Sequence, residues 1–235
     1  MRVVKSYVRR EGRMTPGQKQ GLLQHWTHYG LEVAHGPISF EAVFGNTHPV
    51  VLEIGFGMGQ SLLTLALQSP QDNFVGIEVH RPGVGKLLSQ LQAHSVKNVR
   101  VYQEDAVPVL QQCISDHTLQ KILIYFPDPW PKLRHHKRRI IQPPFVALLW
   151  QKLVMGGEVY LATDWEAYAH HMLQVFTQSE GWLNQSKTQT FIDRPLWRPV
   201  TKFEARGKRL GHGVWDLCFK KTAVRTGRDL KESSL

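Results

Sequence analysis

The stretch VVLEIGFGMGQ, residues 50–60, decides the fold of this chain of 235 residues. It starts with a short apolar run, Val50 to Ile54, of the kind that forms a buried strand. Three glycines follow at every second position, and glycine lets a backbone turn sharply and approach a ligand closely. Because a helical pattern begins at Gln60, the stretch predicts a strand, a glycine-rich turn and a helix.

The glycine-rich turn lacks the spacing of two common phosphate-binding motifs. A dinucleotide fingerprint would place its last glycine at position 60, and a P-loop would end in Gly-Lys-Ser or Gly-Lys-Thr. Neither NAD nor ATP is therefore the predicted ligand. A ligand at the turn would meet the backbone of Gly55 and Gly57, and the alternative is a tight turn that binds nothing.

The rest of the chain continues the alternation of short apolar runs and longer helical segments. Strands are expected at 50–54, 74–79, 99–103, 122–126 and 158–162, with a further candidate at 214–219. Helices are expected at 60–68, 83–94, 141–155 and 165–179. This order predicts an α/β domain with a parallel sheet covered by helices, and several strands are apolar on both faces, as burial on two sides requires.

One domain, residues 31–222, is expected between two polar ends. Residues 1–30 are rich in Arg and Lys and have little apolar periodicity, which predicts a mobile arm, and 223–235 is a polar tail. Cationic arms are often ordered only by the nucleic acid that they bind, so the arm either closes on an anionic partner or is a solvated tail without a role.

The composition favours a polyanionic partner. There are 29 Lys and Arg against 19 Asp and Glu, a formal net charge of +10, which makes nucleic acid the leading partner class. The longest apolar run, 145–150, is far too short to span a bilayer, and the N-terminus lacks the apolar core of a signal peptide, so a cytoplasmic protein is expected. Cys113 and Cys218 lack metal or disulfide spacing and are expected to be buried thiols.

Carboxylates end the next two predicted strands. Glu78 comes after residues 74–77 and Asp105 comes after 99–103, and the ligand crevice of such a sheet lies outside the carboxyl ends of its strands. Glu78 could accept hydrogen bonds from both ribose hydroxyls, and Asp105 could accept one from an adenine amino group. Glu53 would repel a pyrophosphate. The pattern therefore favours a nucleoside with a cationic centre, and S-adenosylmethionine fits.

A second stretch, KILIYFPDPWPKLRHHKRR at 121–139, predicts a reaction centre beside a polyanion-binding surface. Its strand delivers Asp128 and Trp130 into a proline-stiffened loop, and a cationic run follows. Trp130 either stacks on an extruded base or anchors the loop by packing. The cationic run either contacts phosphates or is a solvated helix face. His135 and His136 lack the Cys or carboxylate partners of a zinc site, so no metal is expected.

Six motifs, in order, resemble the bacterial tRNA (guanine-N7)-methyltransferase family. They are EIGFGMG at 53–59, GIEVH around Glu78, EDA around Asp105, FPDPWPKLRHHKRR from Phe126, ATDW around Asp164 and TKFEARGKRLGH from Thr201. The resemblance implies a class I methyltransferase fold, Rossmann-like, with a seven-stranded, mostly parallel sheet, one antiparallel strand, and helices on both faces. It also implies methyl transfer from S-adenosylmethionine to N7 of a guanosine in the tRNA variable loop. One departure, Pro131, stands where many relatives have His or a small residue, and it puts none of the matched residues in doubt.

Carried over residue by residue, the resemblance implies three sets of contacts. Cofactor contacts would be Glu53, Glu78, Asp105 and Asp128, beside the glycines of the turn, and Asp128 would also be the catalytic residue. Substrate contacts would be Lys132, Asp164, Thr201, Lys202, Phe203 and Glu204. RNA contacts would be Arg134, His135, His136, Lys137, Arg138 and Arg139.

Three of these roles have alternatives. Guanine N7 carries an in-plane lone pair and no proton at neutral pH, so Asp128 is better cast as a positioning group than as a strong base, or else it only shapes its loop. Asp164 could cap the next helix, and Thr201 with Glu204 could form a capping box. The rival functions are methylation of another RNA or of a non-RNA substrate, and a non-catalytic RNA-binding module. The chain could be a monomer or a homodimer.

Overall fold

The computed structural model describes residues 5–7, 13–201, 204 and 213–224. Its strands are β1 (Gly30–Leu31), β2 (Val50–Ile54), β3 (Asn73–Ile77), β4 (Val99–Tyr102), β5 (Leu119–Tyr125), β6 (Leu153–Thr163), β7 (Trp182–Asn184) and β8 (Trp215–Lys221). Its α-helices are α1 (Pro16–Tyr29), α2 (Phe40–Phe44), α3 (Gln60–Gln68), α4 (Arg81–Ala93), α5 (Ala106–Gln112), α6 (Pro143–Lys152) and α7 (Glu166–Gln178). Two short 3₁₀ helices span Val33–His35 and Leu133–Arg138.

The strands form one sheet in the order β1-β4-β3-β2-β5-β6-β8-β7. All pairings from β1 to β6 are parallel, and β8 runs antiparallel to both of its neighbours. Apart from the two-residue β1 at the edge, this is the expected seven-stranded sheet with one antiparallel strand. The order reverses between β2 and β5, and a ligand crevice is expected at such a switch point.

The core lies on both faces of the sheet, as the two-sided apolar pattern predicted. In β2, Val50, Leu52 and Ile54 pack into one apolar cluster with α5, α6 and α7, while Val51 packs into the other with α3 and α4. Cys113 and Cys218 are buried with free thiols. None of the helices in the described ranges is long and apolar enough to cross a membrane.

The N-terminal segment differs from the expected arm, because residues 16–29 form α1. Thr15 caps this helix in a reciprocal capping box with Gln18, and α1 packs against α4. The approach is close: a Cβ added at Gly21 would lie 2.1 Å from the backbone oxygen of Gly85. Because glycine makes this contact, the packed face of the helix lacks the stripe of apolar side chains by which an amphipathic helix is recognised in a sequence.

Two other differences have local causes. We predicted no helix between residues 105 and 121, yet α5 lies there, and its Pro108 is tolerated because backbone N–H groups of a first turn have no partner within the helix. The helix predicted at 141–155 ends at Lys152, since Leu153 already pairs with Leu119 of β5. The pairing overrides the helical pattern there.

Candidate active site

A cavity of about 1070 Å³ opens at the carboxyl ends of the central strands. It is lined by the glycine-rich turn, by the ends of β3 and β4 and by the loop after β5. Of the residues predicted to bind the cofactor, those on the cavity wall are Gly55, Gly57, Glu78, Asp105 and Asp128. Residues predicted from four separate strand ends therefore meet at one site.

The glycine-rich turn presents bare backbone to this cavity. Gly55 and Gly57 have positive φ angles of 75° and 57°, which side chains of L-residues rarely adopt. A Cβ at either position would meet no atom within 4 Å. Both glycines are therefore required by backbone conformation, and the space in front of them is open to a ligand.

Glu78 ties the turn to the end of β3. One carboxylate oxygen accepts a hydrogen bond from the Gly57 N–H at 2.7 Å, and the other accepts from Val79 and His80 at 2.7 and 2.9 Å. These bonds fix the carboxylate in place. Because a carboxylate has about four lone-pair sites, Glu78 keeps acceptor capacity for hydroxyl groups in the cavity.

Asp105 begins α5 as its N-cap. Its Oδ1 accepts a hydrogen bond from the Val107 N–H at 3.1 Å, a role that we did not predict. The capping bond orients the side chain at the cavity wall, where the predicted acceptor role for an adenine amino group would need it.

Glu53 lies on β2 but does not line the cavity, which differs from our prediction for this residue. Its side chain is 2% exposed, on the sheet face shared with Val51, and Oε2 has no hydrogen-bond partner among the described residues. Burial raises the pKa of Glu53 to about 8; the Ser61 hydroxyl opposes this shift, and the charge of Glu78 adds to it. Buried polar atoms nearly always have a partner in folded proteins, so this oxygen marks a place where a polar group of a ligand could bind.

The loop after β5 carries Asp128 to the cavity on a strained backbone. Phe126 and Trp130 have positive φ angles of 50° and 45°, an uncommon state for bulky residues that clusters at functional sites. Asp128 is exposed at the tip of the loop. The surrounding structure therefore has to hold this loop in place.

Arg139 holds the loop and is not a surface cation. It is 4% exposed, its Nε donates to the backbone oxygen of Pro129 at 2.9 Å, and its guanidinium lies 4.8 Å from the centre of the Tyr168 ring. We predicted an RNA contact for Arg139, and the structure instead shows this side chain buried against the loop. Its position at the end of the 3₁₀ helix turns it inward, away from the other cations of the run.

Trp130 is already packed. Its indole Nε1 donates to the backbone oxygen of Ser6 at 3.0 Å, while the Arg138 guanidinium lies 4.7 Å from a ring centre and His135 meets the ring edge-on. These contacts favour the loop-anchor role over base stacking. Ser6 also lines the cavity, so part of the basic N-terminal segment lies at the site.

The remaining cationic run forms the exposed 3₁₀ helix beside the cavity. Lys132, Arg134 and Lys137 are exposed, and His135 and His136 are partly buried. Partial burial and the charges of neighbouring Arg and Lys residues lower the pKa of His135. His135 therefore adds less to the attraction for a polyanion at neutral pH than the exposed Arg and Lys side chains do.

The residues predicted to bind substrate lie in different local environments. Asp164 is partly buried just after β6, and it does not cap α7, whose N-cap is Trp165. Thr201 accepts a hydrogen bond from the Glu204 N–H at 3.1 Å, which is half of the capping box that we considered. Lys202 and Phe203 lie outside the described residues.

The other half of that capping box would be a hydrogen bond from the Thr201 backbone N–H to the Glu204 side chain, and it is not formed because this side chain points towards Arg198. Glu204 is fully buried, and its Oε2 accepts from Arg198 Nη1 at 2.8 Å. Our prediction of a direct substrate contact for Glu204 did not include this partner.

Comparison with known proteins places this site in a family. A family described as "Putative methyltransferase" matches residues 47–217. The chain is 54% identical over 220 residues to a tRNA (guanine-N(7)-)-methyltransferase of Pasteurella multocida, covering 94% of this chain and 86% of that protein. The chain belongs to the tRNA (guanine-N7)-methyltransferase family. A protein of the same name from Pseudomonas aeruginosa is 53% identical, with 94% and 91% covered.

Solved structures of distant methyltransferases share the fold of this family member. The 16S rRNA methyltransferase KamB matches with a TM-score of 0.57 at 13% identity, covering 78% of this chain and 93% of that one. The aminoglycoside resistance methyltransferase NpmB1 matches with a TM-score of 0.52 at 13% identity, covering 90% and 95%. At such identities the likeness establishes the class I methyltransferase fold and nothing finer.

Sequence reasoning missed three buried polar residues of this tRNA (guanine-N7)-methyltransferase family member. Arg198 lies between Glu204 and Asp216, and Tyr125 ends β5 with a buried hydroxyl. An isolated arginine in a loop gives no sign that it is buried. Asp216 gave a weak signal, since it is an acidic residue inside the otherwise apolar run 214–219.

Proposed function

We propose that this protein transfers a methyl group from S-adenosylmethionine to N7 of a guanosine in tRNA. The observation that carries the proposal is the convergence of the glycine-rich turn, Glu78, Asp105 and Asp128 on one cavity, in a member of this family. The variable loop is the position in tRNA that the motifs favour, and the cytoplasm is where such a substrate is met.

The residues at the cavity fit S-adenosylmethionine. The volume of the cavity, about 1070 Å³, exceeds the roughly 300–1000 Å³ of a usual small-molecule site, so a nucleoside cofactor and an inserted base have room together. Glu78 and Asp105 offer acceptors to ribose and adenine. The partnerless Glu53 oxygen, on the strand that enters the turn, suits a ligand with a positive charge. When bound, this cofactor supplies an electrophilic methyl group.

The protein itself then has to align the reacting groups and stabilise the charge that develops, and it does not have to remove a proton. Guanine N7 attacks with its own lone pair, and methylation places a positive charge on the base. Asp128 can accept hydrogen bonds from the guanine or from the cofactor ammonium group, and its carboxylate faces the charge that develops. Arg139 fixes the loop from which Asp128 reaches the cavity.

The polynucleotide would be held by cations at the rim of the cavity. Lys132, Arg134 and Lys137 are exposed at the start of the 3₁₀ helix and along it, and Arg13 and Lys19 of the N-terminal segment line the cavity. Each phosphate contact releases counterions and steepens the salt dependence of binding. Cations from two separate segments at one site suit a folded RNA.

The function is tested with purified protein, labelled S-adenosylmethionine and tRNA from a strain that lacks the gene. The tRNA is digested and its nucleosides are separated by mass spectrometry. We expect label in 7-methylguanosine, and labelling that is about 100- to 1000-fold slower with Asp128→Asn. Label in another nucleoside, or transfer to ribosomal RNA or protein instead of tRNA, would replace the proposed substrate. Failure to bind S-adenosylmethionine in calorimetry would revive the non-catalytic RNA-binding module.

A further inference from the structure

Arg198 is a buried cation that joins two carboxylates. It is 1% exposed, and its Nη1 donates to Glu204 Oε2 at 2.8 Å. On its other side, Nη2 donates to Asp216 Oδ2 at 3.0 Å, and Nε lies 2.7 Å from Asp216 Oδ1. A planar guanidinium held at two edges has little freedom to rotate or shift.

The chain around Arg198 is tied to the sheet by further contacts. Arg194 donates from Nη1 to the backbone oxygen of Arg198 at 2.7 Å. Trp197 meets the Tyr160 ring edge-on, with 4.8 Å between ring centres, and Lys121 lies 5.3 Å from the Trp197 ring centre. The segment that leads into Thr201 is therefore docked on β5 and β6.

The same guanidinium reaches the start of the loop that carries Asp128. Its central carbon lies 5.7 Å from the Tyr125 ring centre and 5.9 Å from that of Phe126. Tyr125 is the last residue of β5, and Phe126 is the first residue of the strained loop. Arg198 thus touches both the segment matched to substrate recognition and the base of the catalytic loop.

Stability alone does not explain such a cluster. A buried ion pair is often no more stable than apolar residues of similar volume, because desolvation offsets the attraction. Its directional bonds do fix one geometry. Glu204 also could not turn to a base without leaving Arg198 with one carboxylate fewer inside the protein, which is costly.

We propose that Arg198 is a positioning residue that sets the substrate segment around Thr201 at a fixed distance from the Asp128 loop. Glu204 acts through Arg198 and does not touch the tRNA, which leaves Thr201 as the candidate for direct contact among the described residues of this segment. The inference deepens the proposed function and rests on it.

The first test is Arg198→Lys, which keeps the buried charge but loses the two-edged fork. We expect kcat/KM for tRNA to fall by about 10- to 100-fold, because a shift of about 1 Å can cost that much. The dissociation constant for S-adenosylmethionine, measured by calorimetry, should stay near that of the wild type. Turnover equal to that of the wild type in a folded Arg198→Lys protein would overturn the proposal.

The second test is a double-mutant cycle with Glu204→Gln and Asp216→Asn. Asp216 lies on the side of Arg198 opposite to Glu204, so a substrate contact does not explain a loss at Asp216. If both acids act through Arg198, each single variant lowers kcat/KM for tRNA. The kcat/KM of the double variant should then lie at most about threefold below that of the less active single variant. Losses that multiply would mean that Glu204 contacts the substrate independently.

The matched control is Asp116→Asn, which removes a carboxylate from an ion pair of 2.6 Å with Lys152. This pair lies near the start of β5, and the cavity lies at the other end of that strand. The control variant should leave tRNA kinetics unchanged. Hydrogen–deuterium exchange gives a readout that needs no turnover. For the Arg198 and Asp216 variants, protection should fall at the backbone amides of Phe126 and residue 198, which donate to the backbone oxygens of Ala162 and Pro195. Unchanged exchange there would sink the inference. Wild-type protein that methylates no tRNA would sink the proposed function instead.

Discussion

Arg139 donates a hydrogen bond from Nε to the backbone oxygen of Pro129, across 2.9 Å. The bond joins the end of the basic run to the residue between Asp128 and Trp130. One sequence motif therefore contains both the loop that approaches the reaction centre and the cation that fixes it. The exposed cations of the same run stay available to RNA, so neighbouring positively charged residues have separable roles.

Arg139→Gln should lower kcat by about 10- to 100-fold, because the Asp128 loop loses its support and reacting groups tolerate little displacement. The salt dependence of tRNA binding should not change, since Arg139 is buried. Single-turnover rates at saturating tRNA, together with filter binding at several salt concentrations, measure the two quantities. A shallower salt slope in Arg139→Gln would return this residue to the RNA-binding surface.

Lys137→Glu should give the opposite result. This side chain is exposed on the 3₁₀ helix, so charge reversal should weaken tRNA binding and lower the slope of log affinity against log salt by about one unit or somewhat more. The single-turnover rate at saturating tRNA should stay close to that of the wild type. If the salt slope is unchanged, the exposed part of the run is only a solvated helix face.

The contrast between Arg139 and Lys137 also marks where sequence reasoning stops. Val50–Ile54 could be predicted to the residue, because its apolar run ends at a glycine-rich turn that fixes the boundary. The convergence of carboxylates followed from the shared edge of parallel strands. Burial within a charged run, and the partner of Glu204, depend on tertiary contacts between distant segments, which leave no local pattern.

Asp128→Asn should keep the fold and much of the affinity for S-adenosylmethionine but lose most of the turnover. Removing one aimed electrostatic partner costs about 3–4 kcal/mol, or roughly 100- to 1000-fold in rate. Calorimetry with the cofactor and single-turnover assays with tRNA separate the two effects, and Asp116→Asn serves as the control for loss of a carboxylate. A rate near that of the wild type would remove Asp128 from the mechanism.

Glu53 links cofactor binding to the pH dependence of stability. Its pKa is raised from an ordinary 4.5 to about 8, first by burial and further by Glu78, against the effect of Ser61. As pH rises from 4.5 to about 8, the unfolded chain loses this proton while the folded chain keeps it. The unfolded state then binds fewer protons, so the Glu53 contribution to the free energy of unfolding falls through this window. Below the window the contribution is fully present.

Glu53→Gln should therefore be more stable than the wild type near pH 8, by on the order of a few kcal/mol, and little different near pH 4.5. Urea unfolding at both pH values measures the difference, and Glu41→Gln, at an exposed site on α2, is the matched control that should show none. A cationic ligand near Glu53 would lower its raised pKa and favour the ionised carboxylate, which the amide of Glu53→Gln cannot form, so the same variant should bind S-adenosylmethionine more weakly. Equal stability gains at both pH values would mean that Glu53 is ionised throughout. Undiminished cofactor affinity would mean that its partnerless oxygen does not serve the cofactor.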